Sequence, residues 1–202
     1  IVDDSSPDKT AELVNSLRIQ NLSVLTRSKK SGLGPAYLAG FNLGLKGDYH
    51  YFVQMDADLS HMPEQLELLL SQASTQCLVI GTRWMQGGSV VNWPFHRRFL
   101  SKLGTKYAAV ALNLDCKDLT SGYRVLPIEL LKILDLTDIK TNGYGFQIEM
   151  AWRAHNAGFE ITQVPITFTE RENGRSKMGT RIVWEAWLNV SIWGFRRMTS
   201  RR

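Results

Sequence analysis

The chain has 202 residues, 44% of them hydrophobic, and carries a net charge of +5 with a pI near 9.3. That length supports one domain with a sizeable core, and no repeat or low-complexity tract argues for a second. Two cysteines exclude a disulfide framework and make a reducing compartment the default. The positive charge suits nucleic acid or an anionic membrane surface. Its crowding at Arg171, Arg175, Lys177, Arg181, Arg196, Arg197, Arg201 and Arg202, beside a Trp-rich segment, leans toward membrane or phosphate.

Ile1-Val2 runs at once into Asp3-Asp4, with no initiator Met and no signal peptide. The chain therefore reads as opening inside a strand, with a segment expected upstream. Asp3 to Thr10 is dense in turn and cap residues, and Leu13 and Leu17 continue as a helix. Leu22 to Arg27 reads as a short strand. Gly32-Leu33-Gly34 is a tight turn that leads into helical spacing from Ala36 to Leu45; it is not a Walker or Rossmann fingerprint. Strand Tyr51 to Met55, a helix through Leu66, Leu69 and Leu70, and strand Cys77 to Gly81 follow. Strands alternating with helices predict an α/β fold, a mostly parallel sheet covered on both faces.

Strand Tyr51 to Met55 ends in Asp56-Ala57-Asp58-Leu59-Ser60-His61. Residues two apart on a strand point to one side, so if strand geometry persists Asp56 and Asp58 project together, at a cost unless a cation sits between them. Hard oxygen donors suit Mg²⁺ or Mn²⁺, which also hold phosphate oxygens, better than zinc. The alternative is a solvated strand end capping the next helix, and His61 is either a ligand or a hydrogen-bonding residue. Asp3-Asp4, Arg27, Asp56-Asp58 and Arg83 each follow a predicted strand, and in parallel sheets ligands bind beyond those carboxyl ends. Asp3-Asp4 taken alone is also compatible with a helix-start turn.

In the second half, Gly87-Gly88 and Asn92-Trp93-Pro94 form a loop. Phe95 to Leu114 reads as a helix with Arg97, Arg98, Ser101 and Lys102 in its first turns. Asp118 to Arg124 is a turn into a short strand, Tyr144 to Ala157 an amphipathic helix, and Phe159 to Phe168 an edge strand at Pro165. Thr169 to Met178 is a charged loop. Arg181 to Arg197, with three tryptophans, is too short and too polar at Glu185 and Asn189 to span a membrane. It reads either as an interfacial helix or as a core helix covering the sheet.

In order, Asp3-Asp4-Ser5-Ser6-Pro7-Asp8-Lys9-Thr10, Lys30-Ser31-Gly32-Leu33-Gly34-Pro35-Ala36-Tyr37, Met55-Asp56-Ala57-Asp58-Leu59-Ser60-His61, Gly81-Thr82-Arg83 and Asn92-Trp93-Pro94 resemble polyprenol-phosphate (dolichol-phosphate) mannose synthases. Asp118 to Arg124 and Gly174-Arg175-Ser176-Lys177-Met178 extend the resemblance to about Met178. Phe146-Gln147-Ile148-Glu149 and Thr167 to Arg171 are similar to an actinobacterial-type branch. These are inverting family-2 glycosyltransferases of GT-A (Rossmann-like) fold, which implies a catalytic domain over residues 1–178 followed by a membrane-interfacial helix over 179–202.

The resemblance implies transfer of mannose from GDP-mannose to a polyprenyl or dolichyl phosphate, with a divalent metal, Mg²⁺ or Mn²⁺. It implies work at the cytoplasmic face of the membrane, held there peripherally or by an anchoring partner. It places Asp3, Asp4, Arg27 and Gly34 on the donor side and Asp56 and Asp58 at the metal and diphosphate. Arg83, Arg97 and Ser101 fall at the acceptor phosphate, and Arg171, Ser176 and Lys177 in a loop that closes over the donor. The chain departs from the family in lacking its first strand and Pro-x-Tyr-Asn-Glu-like loop, and in having Ser60 where some members supply a metal-binding Gln. Glu149 is read either as a base in a sister enzyme or as a partner of Arg153. The rival readings are transfer from UDP-glucose or another nucleotide sugar, a non-catalytic sugar-nucleotide binding subunit, and a nucleic-acid binding module, against which the interleaved carboxylates argue.

Overall fold

The computed structural model describes residues 1–170 and 180–199. Two short strands, β1 (Val2–Asp3) and β2 (Leu25–Thr26), pair in parallel around helix α1 (Thr10–Ser16). Helix α2 (Leu33–Gly44) leads to β3 (Tyr51–Gln54), which ends just before the paired aspartates. A 3-10 turn at Pro63–Gln65 opens α3 (Leu66–Leu70), and β4 (Cys77–Thr82) follows. Strand β5 (Ser89–Val91) and the 18-residue α4 (Phe95–Leu112) come next, then β6 (Arg124–Pro127), α5 (Ile128–Ile133), α6 (Gly143–Asn156), β7 (Glu160–Pro165), β8 (Thr167–Thr169) and α7 (Thr180–Thr199).

The central sheet has the order β3-β6-β4-β7. Strands β4 and β7 pair in parallel, as do β5 and β8 in a separate ribbon, whereas β6 runs antiparallel to both its neighbours. This reversal positions the site. The carboxyl ends of β3 and β4 meet the entry to β6, so the turn before Arg124 lies at the same edge as Asp56 and Arg83.

Side chains alternate across the sheet, as a period of two requires. Leu78, Ile80 and Leu126 join the larger core cluster with Phe146, Met150 and Val190 of the overlying helices. Cys77, Val79 and Val125 belong to the opposite cluster with Leu69 of α3. Helices therefore cover both faces, as the alternation of elements predicts. The loop expected over residues 87–94 contains β5, and the strand expected from Phe159 to Phe168 is two short strands, broken at Ile166.

Helix α7 covers the core along one face, as the second of its two sequence readings expects. Ala186 and Val190, four apart, are buried against α4 and α6. At Gly194 the helices approach so closely that a side-chain carbon would lie 3.0 Å from the Ala111 carbonyl oxygen. Trp193 stacks on Trp152, and Tyr107 of α4 hydrogen-bonds Ser191 at 2.7 Å. The other face leaves Trp184, Ile192, Phe195 and Met198 exposed. Among the described residues no helix is long and apolar enough to cross a membrane.

Candidate active site

The first part of the site stands on the small β1-β2 sheet. Arg27 Nε lies 2.8 Å from Asp4 Oδ1, and its Nη2 donates to Oδ2 at 3.3 Å. Asp3 is buried, and its Oδ2 accepts the Ser6 backbone N–H at 3.1 Å. Asp3 therefore holds its own turn, while Asp4 and Arg27 form the polar surface there. Gly34 has a packing role: a side-chain carbon on it would sit 2.3 Å from the Thr141 carbonyl oxygen and 3.1 Å from the Phe146 ring. It lets α2 lie against α6.

The paired aspartates follow β3. Asp58 Oδ1 accepts both the Ser60 N–H, at 3.1 Å, and the Ser60 hydroxyl, at 2.5 Å. Ser60 thus shapes the turn. Asp56 is about one-third exposed and accepts a hydrogen bond from Tyr37 of α2. Burial, followed by the charge of Asp56, raises the Tyr37 pKa, so the phenol keeps its proton and donates.

His61 is buried, and its Nδ1 accepts the Asp56 backbone N–H at 3.1 Å. Burial, aided by the charge of Arg83, pushes its pKa down to about 4, so the ring is neutral near pH 7. With Nδ1 so engaged, His61 is a hydrogen-bonding residue that fixes the backbone of the aspartate turn. Among the described residues no group of three or more His, Cys, Asp or Glu could hold a metal. Two carboxylates without a further protein ligand are nonetheless the donor set of Mg²⁺ or Mn²⁺, ions bound through one or two carboxylates and completed by substrate phosphate and water. Asp56, partly exposed beside this turn, and Asp58 are donors of the type such an ion takes.

The third part surrounds Arg83. Its Nε and Nη2 donate to the two oxygens of Asp118 at 2.7 and 2.8 Å, its backbone N–H donates to Oδ2 at 3.1 Å, and Nη2 reaches the Thr120 hydroxyl at 2.9 Å. Asp118 is wholly buried and Arg83 nearly so. Burial opposes the charge on Arg83, but Asp118 more than offsets it, and the guanidinium pKa is raised. Rings of Trp84, Trp93 and Phe168 stand 5.2–5.4 Å from its Cζ. Arg97, in the first turn of α4, lies 3.9 Å over the Trp93 ring and is paired with Glu170. Both arginines expected to supply positive charge are thus ion-paired. Arg83 presents directed N–H groups rather than surplus charge.

Arg83, Ser101 and Thr120 line a groove of about 160 Å³ between α4, α6 and α7. Its lining is otherwise mostly apolar, with Leu100, Ala108, Ile148, Ala186 and Val190 beside the two tyrosines Tyr107 and Tyr144. Arg171, Ser176 and Lys177 lie outside the described residues. Glu149 turns away from base chemistry: it accepts from the Thr141 hydroxyl at 2.6 Å and from Arg153 Nε at 2.8 Å.

Sequence reasoning missed Asp118 and Arg124 as site builders. Arg124 is completely buried, and its guanidinium donates to the carbonyls of Ser121, Gln147 and Leu119 at 2.7–2.8 Å. Burial lowers its pKa to about 10, which leaves it charged at neutral pH. The available signal was a run of Asp, Thr, Ser and Arg entering a wholly apolar strand, where polar side chains are kept only when paired.

The α/β sheet gathers acidic and basic side chains at its carboxyl edge, and residues 1–134 match the family model for glycosyl transferase family 2. The chain belongs to that family and is a glycosyltransferase. It is 47% identical over 196 residues to an undecaprenyl-phosphate mannosyltransferase of Micrococcus luteus, covering 96% of this chain and 81% of that protein. It is 45% identical over 205 residues to a polyprenol monophosphomannose synthase of Mycolicibacterium smegmatis, covering 100% and 77%. A dolichol-phosphate mannosyltransferase of Pyrococcus furiosus is 35% identical over 189 residues, 92% of this chain and 51% of that one. Within the family, the chain therefore belongs with the polyprenol-phosphate mannosyltransferases. Among solved structures, glucosyl-3-phosphoglycerate synthase from Mycobacterium tuberculosis, in complex with Mn²⁺, UDP-glucose and phosphoglyceric acid, shares the fold at a TM-score of 0.68 and 16% identity. That match covers 96% of this chain and 67% of that one.

Proposed function

We propose that the chain transfers mannose from GDP-mannose to a polyprenyl phosphate in one displacement, giving the inverted, β-linked lipid-phospho-mannose. The observation that carries this reading is the mostly apolar groove that Arg83 and Ser101 also line. An isoprenoid tail suits its apolar walls, and a phosphate suits the guanidinium and hydroxyl among them. The curated relatives are mannosyltransferases with prenyl-phosphate acceptors by name, which supports the same assignment.

A phosphomonoester has a second pKa of about 6, so its oxygen is already nucleophilic near neutral pH and needs no general base. The residues instead position two anions. Asp56 and Asp58 would hold a Mg²⁺ or Mn²⁺ ion, which supplies neutralisation of charge on the departing nucleoside diphosphate. Asp4 and Arg27 face the nucleotide, and Arg83, whose Nε and Nη2 are held by Asp118 and Thr120, offers its remaining nitrogen, Nη1, to the acceptor. Arg97 joins in acceptor binding by exchanging Glu170 for phosphate, and the loop with Arg171, Ser176 and Lys177 closes over the donor. Phe95, Phe99 and Val110 of α4, with Trp184, Ile192 and Phe195 of α7, form an exposed apolar face suited to the cytoplasmic membrane surface, alone or with an anchoring partner.

Incubating the full-length protein with labelled GDP-mannose, a polyprenyl phosphate and Mn²⁺ tests the proposal. Lipid-extractable label is expected, with loss of at least about 100-fold on chelation or in Asp56→Ala and Asp58→Ala. Label moving only from UDP-glucose overturns the donor assignment, and no transfer from either donor overturns the function.

A further inference from the structure

Helix α6 carries a side chain that the reaction described above leaves unused. Gln147 is 1% exposed, and neither its Oε1 nor its Nε2 has a hydrogen-bond partner among the described residues. Buried amides are almost always satisfied, so an amide with both ends unmatched is set up for a group that arrives later.

Its surroundings show where that group would sit. A side-chain carbon placed on Gly122 would lie 3.6 Å from Gln147 Nε2, 3.7 Å from His61 Cε1 and 3.8 Å from Asp56 Oδ1. Three polar side chains thus border one hollow that a larger residue would fill. Gly122 does not have a positive φ, so the backbone does not require glycine there. Space does. The hollow is also held firmly: Arg124 ties the Gln147 carbonyl to those of Ser121 and Leu119, on either side of Thr120.

The hollow adjoins the carboxylate of Asp56, on the leaving-group side. Two residues back along the chain, Thr120 holds Arg83 on the acceptor side. A hexose passing from one to the other has its ring over Gly122. We propose that Gln147 is the specificity-determining residue for that hexose, Nε2 donating to one sugar hydroxyl and Oε1 accepting from its neighbour, with Gly122 kept bare to seat the ring. An amide suits this task because it offers a donor and an acceptor at once. A carboxylate in its place would add negative charge beside Asp56. The inference rests on the mannosyltransferase reading and deepens it.

The test compares GDP-mannose with its C2 epimer GDP-glucose in the full-length protein and in Gln147→Leu, with polyprenyl phosphate and Mn²⁺, alongside GDP affinity by calorimetry. The variant is expected to lose about 10- to 100-fold in kcat/KM for GDP-mannose and to bring the mannose-to-glucose ratio toward one. GDP affinity should stay within about twofold, because the amide touches sugar and not nucleotide. Gly122→Ala, whose added methyl meets its neighbours at ordinary contact distance, should likewise lose mannose transfer while keeping GDP affinity. It keeps the test open if Gln147→Leu does not fold. An unchanged mannose-to-glucose ratio in a folded variant, or GDP affinity falling in step with turnover, overturns the role of Gln147 alone. A wild-type protein that transfers no mannose overturns it together with the function it rests on.

Discussion

Asp4 with Arg27 and Asp118 with Arg83 are both carboxylate and guanidinium pairs at strand ends, with nitrogen to oxygen distances of 2.8 and 2.7 Å. Their surroundings differ. The first stands on strands of two residues each and keeps 19% and 14% of its side chains exposed. The second is sealed beneath Trp84, Trp93 and Phe168, with Asp118 at 0% exposure. Equal geometry therefore carries unequal energy. The first pair, part-buried, should lose less on removal of one member than the second, where stranding a buried charge costs about 3–5 kcal/mol. Under the proposed function the first pair marks the donor end and keeps some access to water, while the second marks the acceptor end and is part of the core.

The contrast is broken most directly at Asp118. Asp118→Asn keeps the shape and removes the charge, and a stability loss of about 3–5 kcal/mol is expected by urea unfolding, with mannose transfer lost as well. If the midpoint hardly moves, the acceptor end is not the buried unit described here. Arg27→Ala is the matching change at the donor end. It should cost less stability than Asp118→Asn and raise the donor KM while the acceptor KM stays unchanged, as steady-state kinetics would record.

The smallest effect concerns Cys116, two residues before Asp118. Burial pushes its thiol up to about 11. The folded state thus favours the protonated form throughout the neutral range, and thiolate appears only as pH rises toward that value. Alkylation at pH 8, followed by mass spectrometry, should leave Cys116 unmodified in the native protein and label it in urea. Rapid native labelling would mean that the acceptor end opens readily.

Much of the donor side is legible in the sequence because its signals are local. Asp56 and Asp58 follow β3 closely, and Ser60 and His61 come within five residues. The acceptor side is not, because its partners are distant: Arg83 and Asp118 are 35 residues apart, and Arg97 and Glu170 are 73 apart. Arg97 and Arg83 are recognisable as site residues, but their pairing depends on β6 entering the sheet in reverse, which no periodicity encodes. Gly34 illustrates the opposite trap. A glycine in a turn before a helix suggests a ligand loop, while here it answers to the packing of α2 on α6. Gln147 carried no signal within its own helical pattern, and only the neighbourhood of Gly122 reveals it.

The reversed strand also fixes the size of the segment that feeds it. Asp118 is fastened to Arg83 at the end of β4, and Arg124 faces Gln54 and Ile80 in register, while Val125 and Leu126 go to opposite cores. Inserting or deleting one residue between Asp118 and Arg124 would turn those two side chains over and push each into the wrong layer. Surface connections normally drift in length between relatives, but this one is pinned at both ends and has no such freedom.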